Sequence, residues 1–213
     1  IGTVMRNQKR KLYPELLQAF AEFVKRYPEI GEKTYLYMHT TYPDLGWDIP
    51  RLIRESGVGS KVLVTYDCKD CEYTFPSFFK GGRTVCPPTG NISAFMPSTQ
   101  GGISSSQLAN IINCFDVYVQ YSICEGFGMP QVEAAFCGVP VMSVDYSAMS
   151  SVVRNVGGVP IDCTMFREYE THTYRAYPIE EDFITKLYSL LSKSKEERDS
   201  ISKNTYKCAT DRY

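Results

Sequence analysis

Two glutamates, Glu125 and Glu133, bracket the stretch Gly126-Phe127-Gly128-Met129-Pro130-Gln131-Val132. The two glycines suit a sharp turn that leaves backbone N–H groups exposed. Pro130 fits the first positions of a helix, where its missing N–H costs nothing. A helix start carries unpaired N–H groups and partial positive charge, so it attracts phosphate. A carboxylate there would repel a phosphate, but it can accept hydrogen bonds from sugar hydroxyls, as acidic residues do from ribose in dinucleotide folds. Glu133, inside the helix, and Glu125, on the turn, could each read a sugar in this way. A second set of charges is the run Arg6-Asn-Gln-Lys-Arg-Lys11. Arginine offers a planar fork and lysine a point charge, and both suit a diphosphate. The plainer reading of both sets is solvated charge on a helix start and on a loop.

These residues need a scaffold. Val117 to Tyr121 and Val139 to Val144 are apolar runs of strand length on either side of the helix that begins near Pro130 and stops at Gly138 and Pro140. Ile1 to Met5 reads as a strand that delivers the basic run to a sheet edge, followed by a helix from about Pro14 to Tyr27 with Leu16, Leu17, Phe20, Phe23 and Val24 on one face. Thr34 to Thr40, Val62 to Thr65 and Val159 to Ile161 read as further strands. Asp48 is placed to cap a helix, and Ser104 with Gln107 forms a capping-box pattern. Phe166 to Pro178, with His172, reads as a surface loop, and Glu180 to Leu191 and Lys195 to Cys208 as helices. Strands and helices alternate, so the expected architecture is a doubly wound, Rossmann-like parallel α/β sheet with helices on both faces. His39 reads as a strand-end residue with a satisfied hydrogen bond.

The 213 residues suit one domain with a sizeable core. A net charge of −1 argues against a general nucleic-acid binder. No apolar run approaches the roughly 20 residues that cross a bilayer. Of the eight cysteines, several lie in apolar segments as buried free thiols do, which suits a reduced, cytoplasmic setting. Cys68-Lys-Asp-Cys71 and Cys86-Pro-Pro-Thr89 form a small insert, about 67–91, shaped like a zinc knuckle. Its fourth ligand position holds Thr89, a poor ligand, so the expectation is no bound metal. Tyr73 to Phe79 is expected to pack this insert.

The string SICEGFGMPQVEAAFCGVPVMSVD, Ser122 to Asp145, resembles the C-terminal, donor-binding domain of GT-B, family 4-type (group 1) retaining glycosyltransferases. The resemblance covers nearly the whole chain and is strongest from Leu108 to Ile161. It implies that Glu125, Phe127, Gly128 and Met129 face a donor sugar and that Glu133 binds the ribose. It implies that an Arg and a Lys after the first strand clamp the diphosphate. Arg6 and Lys11 have that spacing, with Met5 and Leu12 where the family carries glycines, and with Lys9 and Arg10 as competitors. Thr65 and Tyr66 would help to hold the base. Ser151 stands where the family often carries a glutamate, so that contact is not carried over. The implied activity is transfer of a sugar from a UDP- or GDP-sugar to an acceptor, with no cofactor and no metal. The acceptor half would lie in a missing N-terminal domain in cis, leaving this fragment weakly active or inactive. Two other classes are a GT-B sugar-nucleotide epimerase and a non-enzymatic module that binds a partner through the cysteine insert.

Overall fold

A computed structural model describes all 213 residues. In chain order the elements are β1 (Gly2–Val4), α1 (Tyr13–Arg26), α2 (Pro28–Gly31), β2 (Leu36–His39), α3 (Ile49–Glu55), β3 (Val62–Cys68), β4 (Thr74–Phe78), β5 (Arg83–Thr84), β6 (Ala94–Phe95), α4 (Ser105–Ile112) and β7 (Tyr118–Gln120). There follow α5 (Met129–Phe136), β8 (Val141–Val144), α6 (Ser147–Asn155), β9 (Val159–Ile161), β10 (Cys163–Arg167), β11 (Tyr174–Pro178), α7 (Glu180–Leu191) and α8 (Lys195–Arg212).

Six strands pair in parallel in the order β3-β2-β1-β7-β8-β9. This is the doubly wound order, and its direction of winding reverses between β1 and β7. Ligands of such sheets bind outside the carboxyl ends of the strands at that reversal. Helices α1, α3 and α7 bury Leu16, Phe20, Ile53, Phe183 and Leu187 in a core of 33 residues. Helices α4, α5 and α8 bury Ile111, Ile112, Ala134, Ala135 and Ala209 in one of 13. Both expected caps form: the Asp48 side chain accepts from Arg51 N–H at 3.1 Å, and Ser104 and Gln107 make a reciprocal capping box.

One expectation is filled in and one changes. The insert after β3 is part of the sheet. Strands β4 and β6 both pair antiparallel with β3, and β5 extends β6, so the segment adds three antiparallel strands to the sheet edge. Tyr73 to Phe79 is therefore largely strand β4, with Phe75 stacked between Tyr66 and Tyr73. The surface loop expected at Phe166 to Pro178 is instead a β-hairpin, β10–β11, turning at Glu168–Thr173. Ala176 is the one fully buried residue of the two strands, so neither shows the apolar alternation that marks a half-buried strand. The hairpin docks on the rim of the parallel sheet, where Ala176 N–H donates to Ile123 O at 3.2 Å.

Candidate functional site

The turn after β1 and the turn after β7 meet at the reversal point. Leu12 N–H donates to Tyr121 O at 3.1 Å and Ile123 N–H to Arg10 O at 3.0 Å, so the two turns are joined through their backbones. Side chains then close the junction. Glu125, with its side chain only 8% exposed, pairs with Lys11 and with Arg10 at 2.7 Å, and accepts from Gln120 Nε2 at 3.0 Å. Burial pushes the Glu125 carboxyl up, but Lys11 and Arg10 outweigh it and hold it below its ordinary value. Burial lowers the Lys11 ammonium more than Glu125 raises it. The Glu125 backbone N–H donates to Ser147 Oγ at 3.1 Å, at the start of α6. Lys11 and Glu125, both expected at the site, are thus brought together, and Arg10 takes a place beside Lys11.

Helix α5 begins directly behind this cluster. Gly128 caps it with φ +84°, a conformation that disfavours any side chain. A Cβ there would sit 2.2 Å from Gln131 Nε2. Gln131 is fully buried, and neither its amide nitrogen nor its oxygen has a partner. Nothing in the sequence separated this residue from an ordinary helix-start polar residue; only its burial does. Glu133 lies one turn further on. It makes no ion pair or side-chain hydrogen bond, and burial alone raises its carboxyl. Glu125 and Glu133 both act on the buried Tyr118 phenol, which burial and these charges push well above its ordinary value. That phenol donates to Gln120 and lies 3.4 Å from Val4 O, at the carboxyl end of β1. Phe127 and Met129 project outward, 44% and 61% exposed.

Arg6 sits on the other side of β1. It makes a two-pronged contact with Asp44, at 2.9 and 3.2 Å, which draws the Asp44 carboxyl down to about 2. Lys9 lies 4.3 Å over the Trp47 ring, so each of the four cations of the basic turn has a neighbour that attracts it. A cavity of about 370 Å³ opens between the ends of β1 and β2 and the loop before α4, lined by Val4, Arg6, His39, Thr41, Ser98 and Gly102 among others. Neither Glu125 nor Glu133 lines it. His39 Nδ1 lies 2.9 Å from Thr65 Oγ1, the satisfied strand-end contact its position suggests, and burial lowers its imidazole to about 4. Thr65 is buried between His39 and Tyr37. Tyr66 is also buried, its hydroxyl donating to Gly81 O at 2.6 Å and accepting from Lys80 N–H at 2.9 Å. Neither Thr65 nor Tyr66 reaches the cavity wall.

At the carboxyl end of β3, the sulfurs of Cys68, Cys71 and Cys86 lie within 4.8 Å of one another. No helix is long and apolar enough to cross a membrane.

Comparison with known proteins points to one family. The family model described as glycosyl transferases group 1 matches residues 98–208. No curated protein sequence matches the chain. Among solved structures, the C-terminal domain of a glycosyl transferase group 1 family protein (LpcC) from Francisella tularensis superposes with a TM-score of 0.58 at 18% identity, covering 100% of this chain and 84% of that one. A glycosyltransferase from Rickettsia africae gives 0.62 at 13% identity, covering 100% of this chain and 42% of the other. HepE from Anabaena, solved in complex with UDP and glucose, gives 0.61 at 14% identity, covering 100% and 43%. The chain therefore spans less than half the length of the last two, and it has the fold of one Rossmann-like half of a GT-B protein.

Proposed function

The chain belongs to the glycosyl transferases group 1 family, and from that premise we propose that it is the donor-binding domain of a retaining, family 4-type glycosyltransferase that uses a UDP- or GDP-sugar. The observation that carries this reading is the junction at the strand reversal. Arg10, Lys11 and Glu125 lock two turns together beside the open helix start behind Gly128. The diphosphate would lie against the α5 amides with Arg10 and Lys11 beside it, and Arg6 would reach it from the other side of β1 on leaving Asp44. Those amides and cations stabilise the charge that develops on the leaving diphosphate, so this step needs no divalent ion. Glu125 would fix the sugar, held in place by the cations that keep it ionised. Glu133 would take the ribose hydroxyls, which supply the hydrogen bonds it lacks within the chain. Phe127, Gly128 and Met129 would form the sugar-side wall.

On this reading Thr65 and Tyr66 act behind the base rather than on it, because their side chains are already engaged in the core. The acceptor would bind on a second α/β domain facing this edge, as the greater length of the Rickettsia and Anabaena proteins suggests. Transfer by this domain alone should be slow or undetectable, and the expected setting is the cytoplasm. Calorimetry with UDP and GDP tests the reading. One of the two should bind, and Glu133→Ala should weaken it by about 1–3 kcal/mol, the cost of losing hydrogen bonds at a buried polar contact. Equal affinity in the mutant would remove Glu133 from the site.

A further inference from the structure

The cysteine turns in the added antiparallel strands repeat each other. In the first, Cys68 N–H donates to Tyr73 O at 3.0 Å and Glu72 N–H returns to Cys68 O at 3.0 Å. In the second, Cys86 N–H donates to Asn91 O at 2.8 Å and Gly90 N–H returns to Cys86 O at 2.9 Å. The residue four places after each cysteine has a left-handed backbone, φ 56° at Glu72 and 72° at Gly90. By this correspondence Thr89 holds in the second turn the place that Cys71 holds in the first. The two turns bring three sulfurs together, with Cys71 Sγ 3.6 Å from Cys86 Sγ. A disulfide would need about 2.05 Å. Four sulfurs about 2.3 Å from a tetrahedral zinc ion stand about 3.8 Å apart, close to the spacing seen. The Cys68 sulfur also lies 3.2 Å from Ser93 Oγ, an outer contact of the kind metal-bound thiolates make.

We propose that Cys68, Cys71 and Cys86 form a zinc site with three thiolate ligands, whose fourth corner lies on the side of Thr89 and is taken by water or another exogenous donor. The segment has reason to need such a clip. Strands β5 and β6 are two residues each, and most side chains from Lys80 to Asn91 are exposed, so little core holds the two turns together. Cys68 and Cys86 are buried while Cys71 is exposed, which leaves a path for the ion to enter. The site also bears on the sheet edge described above: β6 leads directly into the loop that carries Ser98 and Gly102 to the cavity wall. The proposal does not depend on the donor-binding reading.

Cobalt titration of the reduced, metal-stripped chain tests it, with zinc added afterwards as competitor. One cobalt per chain should bind, giving tetrahedral absorption with the sulfur-to-metal charge transfer of three thiolates, and zinc should displace it. Thr89→Cys should tighten zinc binding by about tenfold or more and add the absorbance of a fourth thiolate, whereas Cys71→Ser should weaken it by about as much. Circular dichroism checks that each variant is folded. If Cys71→Ser does not fold, Thr89→Cys alone decides. Failure of the native chain to bind stoichiometric cobalt, or a Thr89→Cys variant no different from it, would overturn the proposal. So would alkylation and mass measurement showing Cys71 and Cys86 joined as a disulfide in freshly prepared protein.

Discussion

Glu125 and Glu133 share a sequence motif but live in opposite electrostatic settings, and each setting has a consequence that can be measured. Glu125 is matched by Lys11 and Arg10 with little water nearby. Removing one partner of a buried pair strands the other, at a cost of about 3–5 kcal/mol. Arg10 remains to compensate in part, so Lys11→Met should cost about 2–4 kcal/mol in urea unfolding. Adding Glu125→Gln should restore part of that loss; additive costs would mean the two charges are not coupled. Glu133 has no such partner, and its raised carboxyl marks a charge the fold holds at a disadvantage. Because its folded value lies above the unfolded one, the penalty is absent in acid and complete at neutral pH. Glu133→Gln should therefore raise Tm by about 1–3 °C at neutral pH while weakening nucleotide binding. A lower Tm would show that the carboxylate is satisfied. The motif announced both acids as chemical groups. It could not show which was paired, because Lys11 and Arg10 lie far away in the chain and meet Glu125 only through the order of strands.

At the level of elements, the sequence carried the helix starts well because capping is local. Asp48, Ser104 with Gln107, and Gly128 with Pro130 each act within one turn of chain. Gly128 combines a left-handed φ with a packed neighbour in Gln131. Gly128→Ala should destabilise the chain by about 1–3 kcal/mol and lower nucleotide affinity together, because it strains the cap and displaces the buried amide beside it. Unaltered thermal stability would mean that the turn relaxes freely. The exposed hairpin β10–β11 was illegible for the opposite reason: its strands pair with each other and bury almost nothing, so no apolar period reports them. The antiparallel strands β4 to β6 were harder to read because β5 and β6 are two residues each, and backbone pairing is what joins the insert to β3.

For the whole molecule, alternating strands and helices foretold a doubly wound sheet, and the strand order places its reversal between β1 and β7. That order is the step from sequence to site, since it sets the basic turn after β1 beside the acidic turn after β7. Acid should act on this assembly partly through His39. Its imidazole is held near 4 in the fold, against about 6.5 when free. The lowered folded value means that stability is complete above pH 6.5 and falls as pH drops towards 4, as unfolded chains take up a proton that the fold refuses. His39→Gln should flatten the Tm profile across that interval; an unchanged slope would assign the acid sensitivity elsewhere. The central claim is that the edge between β1 and β7 binds a nucleoside diphosphate. Its most direct test is a titration of isotope-labelled protein with UDP and GDP followed by amide chemical shifts. The shifts should concentrate at Gly126–Gln131 and Arg6–Leu12 for at least one of the two nucleotides. Saturating shifts confined to another surface, or none with either nucleotide, would contradict it.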